Sequence, residues 1–284
     1  MPYPAPPDPF LTVAASDLTL DPTLSALCAG YAGTKWRGEA LAEHAMEWLP
    51  EFCLAADELD QLKPGNALRL IRKAAGLVYQ TDKYRHRGEF GELFLHIALR
   101  QIYQSVPAIS KMYWKDSVNG TVKGYDAVHV VEVGGRLELW IGEVKFYDNA
   151  TSAVRDVAKE ILDHTRINYM ENEVALIANK LDKSSPHYPK LSKLLHKNTS
   201  IDEVFDAACV PVLITYDSAA LKSHTKTTAQ YVQALKAEAS SIQAKLSEKL
   251  KPMNLPVRVH LFVIPLNSKA SLVKQLDGEL KRLQ

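Results

Sequence analysis

The sequence has little of what would tie a chain to a membrane, a secreted scaffold or a global electrostatic field. Its 284 residues include three cysteines, Cys28, Cys53 and Cys209. They are far apart, odd in number and form no CxxC pair, which excludes a disulfide framework and a zinc knuckle. No run approaches the about 18 apolar residues that a membrane-spanning helix needs. The opening MPYPAPPDPF has neither the basic nor the apolar region of a signal peptide, so a cytoplasmic location is expected. Lys and Arg number 34 against 33 Asp and Glu, a net charge of +1 that draws the chain to neither nucleic acid nor lipid. Nine histidines show no HxH or HExxH spacing, which disfavours zinc hydrolysis. GxxxxGK[ST], a GxGxxG after a strand, and a GxSxG elbow are all missing, so neither nucleotide binding nor an acyl-transfer serine is indicated.

What is present is an ordinary soluble composition, 46% hydrophobic and 24% charged, with enough chain for a sizeable core. The length permits two domains or one elaborated domain. Charge is unevenly placed: residues 1–179 carry 18 Lys and Arg against 24 Asp and Glu, and residues 180–284 carry 16 against 9. A basic C-terminal part suits an anionic partner; solvated helix faces would produce the same imbalance.

Five of the 15 prolines fall in the first nine residues, so residues 1–20 read as an extended, poorly ordered arm. Residues 24–81 read as helical, with Leu41, His44, Ala45 and Trp48 at helical spacing and breaks at Pro50 and Lys63-Pro64-Gly65. The texture then changes. Residues 88–103 form one helix with a stripe of Phe90, Leu93, Phe94 and Ile97. A short strand at 111–115 and a turn at 117–120 follow. Residues 125–133 and 137–147 form a hairpin about Gly134-Gly135. Helices are expected from about 152, with Asn149 or Thr151 as N-cap, then at 168–181, 227–250 and 270–283. Apolar strands at 210–216 and 257–266 complete an α/β core behind a helical N-terminal extension.

The chemistry concentrates on Gly124-Tyr125-Asp126 and Gly142-Glu143-Val144-Lys145. Strand side chains alternate, so Glu143 and Lys145 share a face with Leu137, Leu139 and Ile141. An apolar face that turns into Glu and Lys is costly unless the charges pair or hold a metal. Asp126 lies eight residues before the hairpin glycines and Glu143 eight after, which brings the two carboxylates together. Such a pair repels, and Mg²⁺ or Mn²⁺, with oxygen ligands and retained water, relieves the repulsion. Lys145 could orient or deprotonate a nucleophilic water, or stabilise developing phosphoryl charge. Glu89 and Glu92 (i, i+3) supply further carboxylates from the preceding helix, and Gly91 would let that helix approach the sheet closely. An isolated ExK on a strand is usually a surface ion pair; the upstream Asp and the glutamate helix favour catalysis here. His96 and His129 read as packing or orienting residues. Lys123, Lys115, Arg155 and Lys159 are candidate phosphate contacts; solvated partners of Asp156, Glu160 and Asp163 are an equal alternative.

A glutamate helix, then D and ExK across a hairpin, then a helix and a further strand resembles the PD-(D/E)xK nuclease superfamily. The strings YRHRGEFGELFLHIALRQIY, NGTVKGYDAVHVV and LELWIGEVKFYDNATSAVRDVAKEI are similar to those of the HamA family, the nuclease subunits of Hachiman anti-phage defence; the resemblance is best over residues 36–170. It implies a restriction-endonuclease-like core, a mixed sheet flanked by helices, over residues 82–284, behind the arm (1–20) and the helical extension (21–81). It further implies metal-dependent DNA cleavage by Asp126, Glu143 and Lys145, with Glu92, or else Glu89, as the helix ligand. Tyr125 stands where the superfamily has Pro. A HamB-like superfamily 2 helicase that restrains or licenses the nuclease is the implied partner. Two other readings remain: a nuclease-fold adaptor that binds DNA or the helicase without cutting, and a stand-alone restriction or repair nuclease.

Overall fold

The computed structural model of the chain describes residues 6–78, 88–109, 124–183 and 185–284. The strand expected at 111–115, the turn at 117–120, and Lys115 and Lys123 lie outside them. The chain begins with β1 (Thr12–Asp17), β2 (Thr23–Cys28) and a small ribbon of β3 (Tyr31–Ala32) and β4 (Lys35–Trp36). Four helices follow: α1 (Gly38–Glu47), α2 (Leu49–Cys53), α3 (Ala56–Leu59) and α4 (Ala67–Val78). Next come α5 (Glu89–Tyr103), β5 (Val106–Pro107), β6 (Ala127–Val133) and β7 (Arg136–Phe146). Then α6 (Ala150–His164), α7 (Ile167–Lys180), α8 (Tyr188–Leu194) and α9 (Ile201–Ala207) lead to β8 (Ala208–Asp217). The chain closes with α10 (Ala219–Ser223), α11 (Ala229–Leu250), β9 (Arg258–Leu266) and α12 (Lys269–Arg282).

Seven strands form one mixed sheet in the order β1-β2-β9-β8-β7-β6-β5. The central run β2, β9, β8 and β7 is parallel, and antiparallel strands flank it. Parallel strands need both faces covered. On one face α1, α2, α4, α5 and α12 pack over Trp140, Val144, Leu213 and Phe262. On the other, α6 and α11 cover Val212, Ile214 and Val263, while α7, α8 and α9 cover Leu139 and Ile141. The expected α/β core with a mixed sheet between helices is what forms.

Two expectations for the N-terminal part are corrected. The arm contains β1, and the run read as helical from residue 24 opens with β2. β2 is a short apolar segment, TLSALC, buried along almost its whole length. Such a run does not distinguish strand from buried helix by its own pattern. What makes it a strand is a hydrogen-bonding edge on β9, which pairs Leu24 with Leu261 and Ala26 with Val263 from the far end of the chain.

The hairpin forms where the glycines placed it. Gly134 and Gly135 have φ of 56° and 79°, the left-handed pair that a two-residue hairpin turn requires. Ala127 then pairs with Gly142, which is the last pair of the ladder and leaves Asp126 just before it and Glu143 just after it. The helix that follows is capped by Asn149, whose side chain accepts from the Ser152 backbone N–H at 2.9 Å.

Candidate active site

β6 begins one residue after Asp126, so beyond Gly142 the outer edge of β7 has no ladder partner from β6. Among the described residues, Glu143–Phe146 pair with β8 alone. The Val144 N–H freed on this edge donates to Asp126 Oδ2 at 2.8 Å, and the Asp126 N–H donates to Gly142 O at 2.8 Å. Asp126 is thereby fixed at the mouth of the gap. A cavity of about 470 Å³ opens there, at the carboxyl end of a parallel strand, where α/β sheets commonly bind ligands.

The cavity gathers Asp126, Glu143, Lys145 and Glu92. Gly91 explains how Glu92 arrives: a Cβ at that position would lie 2.5 Å from Val144 Cγ1 and 2.8 Å from Phe146 Cβ. Only a glycine lets α5 ride this close to β7, as the sequence suggested. Glu89, one turn earlier, is not among the residues lining the cavity.

Helix α6 grips both members of the ExK pair. Glu160 and His164, one turn apart, line the same cavity. Lys145 Nζ donates to Glu160 Oε2, and His164 Nδ1 pairs with Glu143 Oε1. Glu143 is 2% exposed and Lys145 7%, so both charges are largely removed from water. Burial is the chief influence on Glu143; the His164 contact pulls the other way, but with Asp126 and Glu160 adding repulsion the carboxyl is pushed up to about 7. Burial works to lower the Lys145 ammonium, yet the hydrogen bond and charge of Glu160, with Glu143 and Asp126, raise it above the ordinary lysine value. His164 is likewise raised, because Glu143 outweighs its burial. The ring of His164 is held by Tyr169, stacked at 4.3 Å, and by Tyr125 edge-on at 5.1 Å. The Tyr125 hydroxyl donates to the His164 carbonyl at 2.8 Å. Tyr125 thus braces the site from the position just before Asp126.

Sequence reading missed Glu160, His164, Tyr147 and Lys269, all of which line the cavity. Glu160 and His164 had a readable signal, an i, i+4 polar pair on the helix that follows ExK. Lys269 had none, since it arrives from the last helix. Arg155 and Lys159 are exposed and outside the cavity lining, and Arg155 pairs with Asp156 at 2.7 Å.

His96 and His129 are packing residues, as expected. They sit in a buried polar network behind Glu92. Glu51 on α2 accepts from Arg100 Nε at 2.5 Å and from Arg100 Nη2 at 3.1 Å, and it lies 3.1 Å from His96 Nε2. His96 contacts His129 at 3.3 Å, and His129 meets the Ser105 hydroxyl at 2.8 Å. Burial holds His129 well below the ordinary histidine value, so it is neutral. Through this network α2 anchors the helix that carries Glu92.

Among the described residues, no three His, Cys, Asp or Glu side chains converge as a metal cluster, and no helix is long and apolar enough to cross a membrane. Compared with known families, the chain matches the family model described as HamA over residues 8–280. No curated protein matches it.

Proposed function

From the chain's membership of the HamA family, and hence its part in Hachiman anti-phage defence, we propose that it is a divalent-metal-dependent DNA nuclease that hydrolyses phosphodiester bonds. The observation that carries this reading is the Asp126, Glu143 and Lys145 constellation at the end of β7 beyond its ladder with β6, with Glu143 desolvated and its carboxyl raised to about 7. A buried carboxyl raised by neighbouring like charge, as Glu143 is, is relieved by a cation. Mg²⁺ or Mn²⁺ needs only one or two protein carboxylates, completing its shell with water and phosphate oxygens. Asp126 and Glu143, which line one cavity at the end of the β6–β7 ladder, fit that demand, with Glu92 lining the same cavity from α5. When bound, the ion supplies Lewis acidity and a more acidic water.

The chain's own residues do the rest. Asp126, held by the Val144 N–H, supplies a preset oxygen ligand. Glu143 is oriented by His164. Lys145, positioned by Glu160, places a buried positive charge where a pentavalent phosphoryl centre gains negative charge, and that charge counts for more out of water. A HamB-like superfamily 2 helicase belongs to the same proposal: no sequence-reading module is visible in the sequence, so a DNA nuclease of this kind would need gating to spare its host.

Plasmid digestion with Mg²⁺, with and without the helicase, tests the reading. Glu143→Ala and Lys145→Ala should abolish cleavage and phage protection while the fold persists. Asp126→Asn should weaken Mn²⁺ binding measured by calorimetry. Cleavage undiminished in the Glu143 and Lys145 variants would sink the catalytic assignment.

A further inference from the structure

The two rims of the cavity differ in charge. On the α6 side, Glu160 lines it, and Asp156 and Asp163 occupy the same helix. The arginines there are already engaged, Arg155 with Asp156 at 2.7 Å and Arg166 with Asp163 at 2.9 Å. On the opposite face of the sheet, α12 brings Lys269 and Val273 into the lining. Those same two residues line a second cavity of about 590 Å³, which continues along α12 past Lys274. The two cavities therefore adjoin at Lys269 and Val273, with the outer one lying along the helix, and together they make up the α12 groove.

Three lysines and two aspartates, Asp148 and Asp277, line the outer part of the groove, so its balance is positive. Lys281, at its far end, is tied to Asp277 at 3.0 Å. Lys269 and Lys274 form no ion pair among the described residues, and Lys274 is exposed. The Lys269 ammonium lies over the Phe146 ring at 5.3 Å and the Tyr147 ring at 5.9 Å, which steers it toward the end of β7. An extended polyanion entering a site already rich in carboxylates meets repulsion along α6 and attraction along α12.

We infer that one strand of the DNA flanking the scissile phosphate runs along the α12 groove, with Lys269 and Lys274 binding its phosphates. The inference rests on the nuclease reading and adds a path and two contacts to it. Arg155 and Lys159 then serve as solvated residues of α6.

The test is binding of a fluorescein-labelled DNA duplex to the full chain, with Ca²⁺ replacing Mg²⁺ so that the DNA stays whole. Each phosphate contact adds about one unit to the steepness with which log K falls against log salt, so losing one contact lowers that steepness by about one. Lys269→Gln and Lys274→Gln should each lower it by about one and the double variant by about two, with unchanged thermal unfolding; Arg155→Gln with Lys159→Gln should leave it unaltered. A double variant with the wild-type slope, in a protein that still cuts plasmid DNA, would overturn the groove and leave the nuclease reading standing. A wild-type chain that neither binds nor cuts DNA with Mg²⁺ or Mn²⁺ would instead remove the nuclease reading, and the groove with it.

Discussion

Glu143 answers to several neighbours at once: burial, His164, Asp126 and Glu160. Because burial and like charges raise its carboxyl to about 7, a proton competes there with any cation. Mn²⁺ affinity should therefore be highest above pH 7 and weaken as the pH falls, by up to about tenfold per unit for one competing proton. Calorimetry across that range checks this, and an affinity that stays flat through neutral pH would contradict it. Glu160 is a positioning residue, since it touches Lys145 and acts through it. Glu160→Gln keeps an acceptor but removes the charge. It should lower kcat by about tenfold with KM unchanged, within the range known for a misplaced reacting group. If kcat is retained in both Glu160→Gln and Glu160→Ala, Lys145 needs no such partner.

At the scale of elements, the site depends on how α5 meets β7 and α2. Gly91→Ala puts a methyl group into Val144 and Phe146, and forcing α5 outward should cost about 1–3 kcal/mol. Because Glu92 moves with the helix, cleavage should fall more steeply than stability. Urea unfolding and plasmid digestion on the same preparation separate the two effects; activity lost only in proportion to unfolded protein would deny α5 any share in positioning. Glu51 sets a second test. Removing one partner of a buried ion pair strands the other charge, so Glu51→Ala should destabilise by about 3–5 kcal/mol. A loss below about 1 kcal/mol in the unfolding free energy from urea titration would show that Arg100 finds other partners.

For the whole molecule, β2 and β9 join the two ends of the chain, and His260 lies in their seam. It contacts the Thr23 hydroxyl at 2.6 Å and the Ser25 hydroxyl at 3.1 Å. Burial lowers it to about 4, so the folded chain holds it neutral. Its contribution to stability is then complete above the ordinary histidine value and is lost as the pH falls from about 6.5 to 4. Glu51 acts in the same direction at lower pH. Burial opposes its ionisation, but His96 and Arg100 outweigh burial and hold it below its ordinary value, so protonation weakens the fold. Unfolding midpoints should decline across that range, and His260→Gln should flatten the upper part of the decline. An unchanged slope in that variant would place the acid sensitivity elsewhere. The same seam makes a sharp claim about truncation. Removing residues 1–28 strips β1 and β2 from the sheet and exposes the edge of β9. The shortened chain should lose cooperative unfolding, whereas a sharp transition would mark residues 1–28 as a dispensable appendage.

Residues that act through local spacing were legible in the sequence. The hairpin glycines, alternation along β7 and the count from the turn placed Asp126, Glu143 and Lys145 in one site, and Gly91 announced the close helix. These depend on periods of two and 3.6 residues, which a sequence carries openly. Tertiary structure alone decided the rest. TLSALC became a strand because β9 offered it an edge, and nothing in those six residues records that offer. Lys269 entered the cavity because β9 runs parallel to β7 with only β8 between them, and α12 follows β9 to the rim. Glu160 and His164 became parts of the site once α6 packed over the end of β7 beyond its ladder with β6. Local pattern is fixed by short-range sterics and hydrogen bonding, while the meeting of distant segments is set by which faces must be buried together.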